Sequence, residues 1–511
     1  MDILIRQRGN RIDVSPDGVT ALPRHIIDLL APYMWYTFKR TTHDATDLRS
    51  GAAMPIQLEQ RRLFRLEPVT VTADGITVEP YEGRLTTGYG YIPRITRVLQ
   101  SAGHSVRWVD CGPARARPDC YLVDWDRVNS NFSARDPSQI ACLQAIAGAW
   151  GGIINATMGF GKTHLFDAIC WLYARAKIAI VVKSVDIAEK ITRRLTRAFP
   201  NVGFITGSQK RFGERITVFT AGCLSYCDGD FDVLLCDEVH QLMSPTTSEQ
   251  LVRAFPNTRN FGFTGTPRGR FDGADAKLEM LFGPEIFVMP YQEAVARGMV
   301  VPIHVRWLPI LLDGNPAEGK TGVPRNRWGL WRNEQRNKKI ADDIRANVGA
   351  DDQVLCSVAT VEHAIHLWQY LPEFTLCYSN LEDASLAGYI HNRMLPPTFE
   401  RMTAARRDQL RAGFEEGSLK RVIATDVWST GVDFEQLQVL YRCDGRASEI
   451  LDAQWPGRVS RLSAGKVGGL IVDCCDLFDK SLFRRSETRK RHYSKHGWTQ
   501  DWPRAVRLAR G

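Results

Sequence analysis

Ala156-Thr157-Met158-Gly159-Phe160-Gly161-Lys162-Thr163 stands between an apolar run, Gly152 to Ile154, and a helical pattern, Leu165 to Ala174. A strand that passes through a glycine-rich turn straight into a helix is the opening of a parallel crossover unit. Glycines let the backbone wrap closely enough for successive N–H groups to face one anion, and the helix N-terminus adds partial positive charge. In such a loop Thr157, Gly159, Phe160 and Gly161 form the wrap. Lys162 reaches the outer phosphates of a nucleoside triphosphate and the Thr163 hydroxyl ligates Mg²⁺. The strict pattern has glycine where Ala156 stands.

The flanking texture agrees with a parallel sheet. Short apolar runs at Ile178–Val182, Ile216–Thr220, Val233–Cys236 and Asn260–Phe263 alternate with helical patterns such as Gln139–Trp150 and Ile187–Ala198. Buried strands separated by helices predict crossovers. A turn-rich stretch, Leu311 to Trp328, reads as a connection. A second alternation follows, with strands at Gln353–Val358, Phe374–Tyr378, Arg421–Ala424, Gln438–Arg442 and Gly469–Val472. Residues 1–130 read as a mixed α/β module, with strands at Leu66–Val71, Ile76–Val78 and Ser105–Val109 and a helix at Ile92–Ala102. The expected fold is therefore α/β, with domains at 1–130, 131–310 and 311–480 and a basic tail at 481–511.

Val233-Leu234-Leu235-Cys236-Asp237-Glu238-Val239-His240 places an acidic pair at the carboxyl end of a buried strand, the end at which ligands sit in open α/β sheets. Asp237 can join the magnesium shell, and Glu238 can polarise a water for attack on the γ-phosphate. Thr264-Gly265-Thr266-Pro267 follows the next apolar strand and is placed to relay phosphate state. In the second half, Ala424-Thr425-Asp426-Val427-Trp428-Ser429-Thr430-Gly431-Val432-Asp433-Phe434 follows a strand, and Gln454-Trp455-Pro456-Gly457-Arg458-Val459-Ser460-Arg461 comes after it. Arg458 and Arg461, three apart, are expected on one face of a helix. Two guanidiniums suit the spread charge of a phosphoryl-transfer transition state.

The 511 residues are 44% apolar and 24% charged, which excludes a largely disordered chain, a collagen-like chain and a coiled-coil rod. No apolar run approaches the ~20 residues of a membrane span, and Met1–Asn10 lacks a secretory core. A chain that is not exported is expected, with no membrane partner. The net charge of +9 permits a polyanionic partner. Nine Lys and Arg fall between Ser481 and Gly511 against Glu487 and Asp501, with Tyr493 and Trp498 among them. This tail suits either stacking and phosphate contact or a docked helix. On the first alternative, truncation after Phe483 weakens DNA binding. The 12 cysteines include no CxxC pair. Cys236, inside an apolar run and in sequence near Cys223, Cys227 and His240, reads as a small core residue in a reducing compartment.

The ordered set Gly-Phe-Gly-Lys-Thr, Asp-Glu-Val-His, Thr-Gly-Thr-Pro, Ala-Thr-Asp-(x)4-Gly-Val-Asp and Gln-x-x-Gly-Arg-x-x-Arg resembles that of the superfamily 2 helicases over roughly 135 to 480. The Asp-Glu-x-His form is most similar to the UvsW-type phage helicases and their XPB-like relatives. The resemblance implies two tandem RecA-like motor domains that use ATP and Mg²⁺, with a DNA-binding N-terminal module. In that family alanine is common at the position of Ala156. The resemblance also implies adenine contacts by Arg135 and Gln139, although the usual aromatic between them is Ser138 here. Gly431 and Asp433 would touch the nucleotide, and Lys162, Glu238, Arg458 and Arg461 would carry hydrolysis. His240, Thr264, Thr266 and Gln454 would couple it to motion, and Lys183, Ser184, Thr220, Thr360 and Thr425 would touch nucleic acid. What is implied is 3′-to-5′ movement on DNA, remodelling forks and Holliday junctions in the cytoplasm, of the host if the chain is phage-encoded. An RNA helicase and the motor subunit of a restriction or defence complex share the same ATP chemistry.

Overall fold

In the computed structural model the described residues are 1–16, 22–41, 56–68, 71–73, 76–78, 83–110, 118–227, 230–265, 275–379, 381–428 and 434–503. They fold into two compact units, one taking in most of the chain up to Met289 and the other Thr157–Phe160 together with the chain from Pro290 onward. The first unit holds an eight-stranded sheet in the order Lys210–Arg211, Gly203–Ile205, Ile216–Thr220, Ile178–Val182, Val233–Cys236, Arg259–Thr264, Gly152–Ala156 and Glu285–Met289. Neighbouring strands run parallel except at Lys210–Arg211. Ile178–Val182, Ile216–Thr220 and Val233–Cys236 are buried at every residue, as a sheet covered on both faces requires. Cys236 is one of these core residues.

A second sheet of the first unit has the order Phe64–Pro68, Gly83–Gly88, Arg11–Pro16, Asp2–Arg8 and Ser105–Asp110. It is antiparallel apart from its last pair. Of the expected strand Leu66–Val71 the structure describes Phe64–Pro68 and Val71–Ala73, while residues 69–70 and the turn Asp74-Gly75 lie outside the described residues. Residues 1–130 do not stand apart as a module. Ile3, Ile5, Ile12, Val14 and Leu99 share one core with Leu234, Leu251 and Phe282. Polar contacts tie the same seam: Tyr89 Oη donates to the Phe282 carbonyl at 2.9 Å, Tyr91 Oη to that of Ala276 at 3.0 Å, and Asn10 Nδ2 to that of Phe255 at 2.6 Å. A Cβ on Gly90 would come 1.8 Å from the Glu279 carbonyl oxygen, so only glycine permits that approach.

The second unit holds a seven-stranded sheet in which every neighbouring pair is parallel, ordered Thr375–Cys377, Arg421–Ala424, Val354–Ser357, Val439–Arg442, Gly469–Asp476, Ile303–Ile310 and Thr499–Asp501. Ile303–Ile310 thus belongs to this unit, ahead of the boundary that the turn-rich stretch at Leu311 suggests. Arg306 and Pro309 interrupt its apolar pattern. The arginine is accommodated by a two-bond pairing with Asp343 at 2.9 and 2.6 Å.

Of the two readings of the basic tail, the described residues show the docked helix. Ser481 to Lys495 lies within a helix, Lys480–Lys495, capped by Asp479, which accepts from the N–H groups of Ser481 and Leu482. The strand Thr499–Asp501 then adds to the sheet edge. Arg489 and Tyr493 are fully buried and Trp498 is 6% exposed, so these residues are core and not a stacking surface. Arg489 pairs with Asp473 at 2.9 Å. The Tyr493 hydroxyl donates to Asp473 at 2.7 Å and accepts from Arg442 Nη1 at 2.8 Å.

Arg442 also bonds Asp452 at 2.6 Å and Asp444 at 3.2 Å, and Arg446 Nε bonds Asp444 at 2.9 Å. Burial alone would raise the Asp444 carboxyl, but the guanidiniums of Arg442, Arg446 and Arg489 outweigh it and bring it down to about 2. A depressed carboxyl stabilises the fold above its unfolded value of roughly 4, and that contribution is lost as pH falls through about 2. Asp444→Asn should therefore cost about 2 kcal/mol near neutral pH, with the gap from the native chain closing towards pH 2. Urea melts at a series of pH values check this; a gap that does not change with pH contradicts it. Among the described residues no helix is long and apolar enough to cross a membrane.

Candidate functional site

The strand Gly152–Ala156 ends at the glycine-rich turn, and the helix Lys162–Leu172 starts directly after Gly161. Gly159 has φ 90° and Gly161 φ 88°, a left-handed conformation that other side chains rarely adopt. Gly161 also has little room beside it, since a Cβ there would sit 2.8 Å from Gln139 Nε2. Gln139 is fully buried, and its Oε1 accepts from the Arg135 N–H at 2.8 Å, so the two expected adenine readers are joined next to the loop. The Arg135 side chain is exposed, and Thr163 is half-buried.

Lys162 is buried, and its ammonium donates to the Ala156 carbonyl at 3.2 Å and lies 3.3 Å from Glu238 Oε1. Two stretches far apart in sequence thus meet at the carboxyl ends of their strands. Asp237 follows the strand Val233–Cys236, and its Oδ1 accepts from the Glu238 N–H at 3.0 Å. Burial, then the adjacent Glu238 carboxylate, hold Asp237 above the ordinary carboxylate range, against the opposing pull of Lys162 and of that N–H. Glu238 itself has φ 43° and ψ 50°. For a non-glycine residue this costs about 1 kcal/mol or more, and such strain clusters at functional sites. No feature of the sequence signals this strained backbone or the role of the Ala156 carbonyl. His240 is buried, with Nδ1 3.5 Å from Glu238 Oε2 and sharing a hydrogen bond of 2.8 Å with Thr264 Oγ1. A continuous chain of polar contacts therefore runs from Lys162 through Glu238 and His240 to the end of the strand Arg259–Thr264.

The remaining expected residues are more dispersed. Ser184 and Thr360 use their hydroxyls as helix caps, accepting from Ile187 N–H at 3.5 Å and His363 N–H at 3.1 Å. Thr220 is buried and donates to the Ile205 carbonyl, while Lys183 is exposed. Thr425 is buried, and its N–H donates to the Cys377 carbonyl. Gln454 is buried at the end of the helix Glu449–Gln454.

Arg458 and Arg461 do not share a helix face. The helix stops at Gln454, a 3-10 turn spans Pro456–Arg458, and Arg461 follows outside it. Pro456, lacking an N–H, and Gly457 end the regular helix between the glutamine and the arginines. Arg458 is buried with its guanidinium about 6 Å from the rings of Phe434 and Trp455, and Arg461 is half-buried. Thr266, Gly431 and Asp433 lie outside the described residues.

Residues 132–269 match the family model described as type III restriction enzyme, res subunit. The matched stretch takes in the glycine-rich loop, the Asp237-Glu238 pair and Thr264. Probable helicase D10 of Escherichia phage T5 is 25% identical over 373 residues, 70% of this chain and 75% of that protein. A protein of Methanocaldococcus jannaschii, named for the MjaIXP endonuclease subunit of a type I restriction enzyme, is 25% identical over 293 residues. The match takes in 50% of this chain but only 27% of that longer relative. Among solved structures, Saccharomyces cerevisiae Dbp5 bound to RNA and ADP BeF3 aligns over 76% of this chain and 96% of its own, at 15% identity and a TM-score of 0.51. T4 UvsW aligns over 98% and 99% at 15% identity with a TM-score of 0.41. The parallel sheets of the two units accord with tandem RecA-like domains.

Proposed function

We propose that the chain is an ATP-dependent DNA helicase or translocase, moving 3′ to 5′ and remodelling branched DNA such as forks and Holliday junctions. The observation that carries this reading is the approach of the Lys162 ammonium to Glu238 at the mouth of a loop whose two glycines are left-handed. A lysine held by a carbonyl and a carboxylate is a lysine that a phosphate can recruit. Arg135 and Gln139 hold the base, and Lys162 with the loop amides holds the triphosphate. When ATP enters, the ammonium exchanges Glu238 for phosphate oxygens, and the released carboxylate orients the attacking water. The Thr163 hydroxyl and Asp237 would hold Mg²⁺, which would neutralise charge on the phosphates. The contacts of His240 with Glu238 and Thr264 give the acid a route by which its state is sensed one strand away.

Arg458 and Arg461 supply guanidinium charge to the transition state. Arg461→Ala should lower kcat on the order of a thousand-fold with little change in ATP affinity. Steady-state kinetics separate the two; a rise in KM with kcat unchanged contradicts the role. The DNA reading is tested by ATP turnover and strand displacement on single strands, forks, Holliday junctions and RNA duplexes side by side. Displacement of branched DNA supports it, and turnover driven by RNA alone overturns it. The restriction-subunit names among the relatives favour a second reading, the motor of a restriction assembly. A nuclease or modification subunit that co-purifies with the chain, and ATP-driven cleavage of DNA by that complex, would select it.

A further inference from the structure

A cavity of about 380 Å³ opens within the first unit, between the N-terminal sheet and the helices Pro245–Ala254 and Asp275–Phe282. Arg11 and Arg65 reach its lining from the N-terminal sheet, Arg62 from the end of a further strand, Ile56–Arg62, and Arg253 from the first helix. All four are exposed. Lys277 lies deeper, 7% exposed, with Nζ 3.3 Å from the Ser248 hydroxyl. Glu249 is the single carboxylate among the described lining residues. Positions from three distant parts of the chain thus bring five cations to one concavity against one acid. Like charges gathered around a common opening repel one another, and a polyanion seated there reverses that repulsion.

The cavity is not the nucleotide site. Leu234 and Asn260 in its lining lie near the amino ends of the strands whose carboxyl ends carry Asp237 and Thr264. Its walls do not shift independently either, because the N-terminal sheet and the helix bearing Arg253 share one core. Exposed guanidiniums spread around an opening of this size fit successive phosphates of a backbone better than one small ion, since each fork bonds a separate phosphate.

We propose that this opening is a nucleic-acid grip that holds the sugar–phosphate backbone of the strand or duplex on which the motor acts. It rests on the proposed function only in requiring that the chain binds nucleic acid. It would give the first unit a sequence-independent hold apart from the residues beside the nucleotide loop.

The test uses the full chain with Arg62, Arg65 and Arg253 changed together to Ala, and in a second variant to Lys. Binding to forked DNA and to an RNA duplex is measured across a salt series. Each lost phosphate contact should flatten the plot of log affinity against log salt by about 0.7–0.9, so the Ala variant should lose up to about 2–3 in slope. Its affinity near 0.1 M salt should fall by at least about ten-fold, whereas the Lys variant keeps most of the slope. Flattening with DNA alone identifies a DNA grip, and flattening with both identifies a backbone grip indifferent to the sugar. An Ala variant with the native melting temperature and an unchanged slope overturns the grip and leaves the motor reading standing. A native chain that binds neither nucleic acid overturns both.

Discussion

Glu238→Gln should lower nucleic-acid-stimulated ATP turnover by about 10²–10⁴-fold while nucleic-acid binding stays nearly native. The amide keeps the size and hydrogen-bonding shape of the carboxylate but cannot act as a base. It also removes the negative partner of Lys162, whose ammonium lies 3.3 Å from Glu238 Oε1. The lysine then has less to leave when a phosphate arrives, so ATP affinity should hold or rise while turnover falls. Lys162→Ala should abolish turnover by the opposite route, losing the phosphate contact itself. Radiolabelled ATP hydrolysis and nucleotide titration on the two variants check both arms. Undiminished turnover in both would remove the site.

Arg489→Ala should destabilise the second unit by about 3–5 kcal/mol, the cost of leaving a buried charge unpaired. Its guanidinium is fully buried, bonds both oxygens of Asp473 at about 2.9 Å and also reaches the Cys474 carbonyl at 2.8 Å. Without it Asp473 keeps the Tyr493 hydroxyl but loses its cation. Truncation after Phe483 should be more severe. It deletes Arg489, Tyr493 and the strand Thr499–Asp501 together, and a domain stabilised by only about 5–15 kcal/mol does not survive that. The truncated chain should lose its cooperative urea transition for this unit, an outcome that a flexible DNA-binding tail would not produce. A truncated chain that unfolds like the native one contradicts the docked-helix account.

Ile178–Val182 and Val233–Cys236 were legible because each is a short, fully apolar run, whereas Glu285–Met289, which pairs with the loop strand, opens on a charge and gives no such signal. The acidic pair was legible because four apolar residues put it at a strand end. The N-terminal strand Asp2–Arg8 is not legible, since its apolar run Ile3-Leu4-Ile5 is only three residues long and is flanked by Asp2, Arg6 and Arg8. Arg489 shows the same limit from the other side: composition counts it as a surface cation, and only Asp473, sixteen positions earlier on a buried strand, makes it core. Arg458 and Arg461 have helical spacing, yet Pro456 outweighs spacing. Strain at Glu238 is a tertiary property that no residue type announces.

The most direct measurement is a structure of the chain with Mg²⁺ and a non-hydrolysable ATP analogue. The triphosphate should lie along the loop from Ala156 to Thr163, with Lys162 moved off Glu238 onto a phosphate oxygen and the metal between Thr163 and Asp237. An analogue bound elsewhere, with Lys162 still held by Ala156 and Glu238, would contradict the assignment.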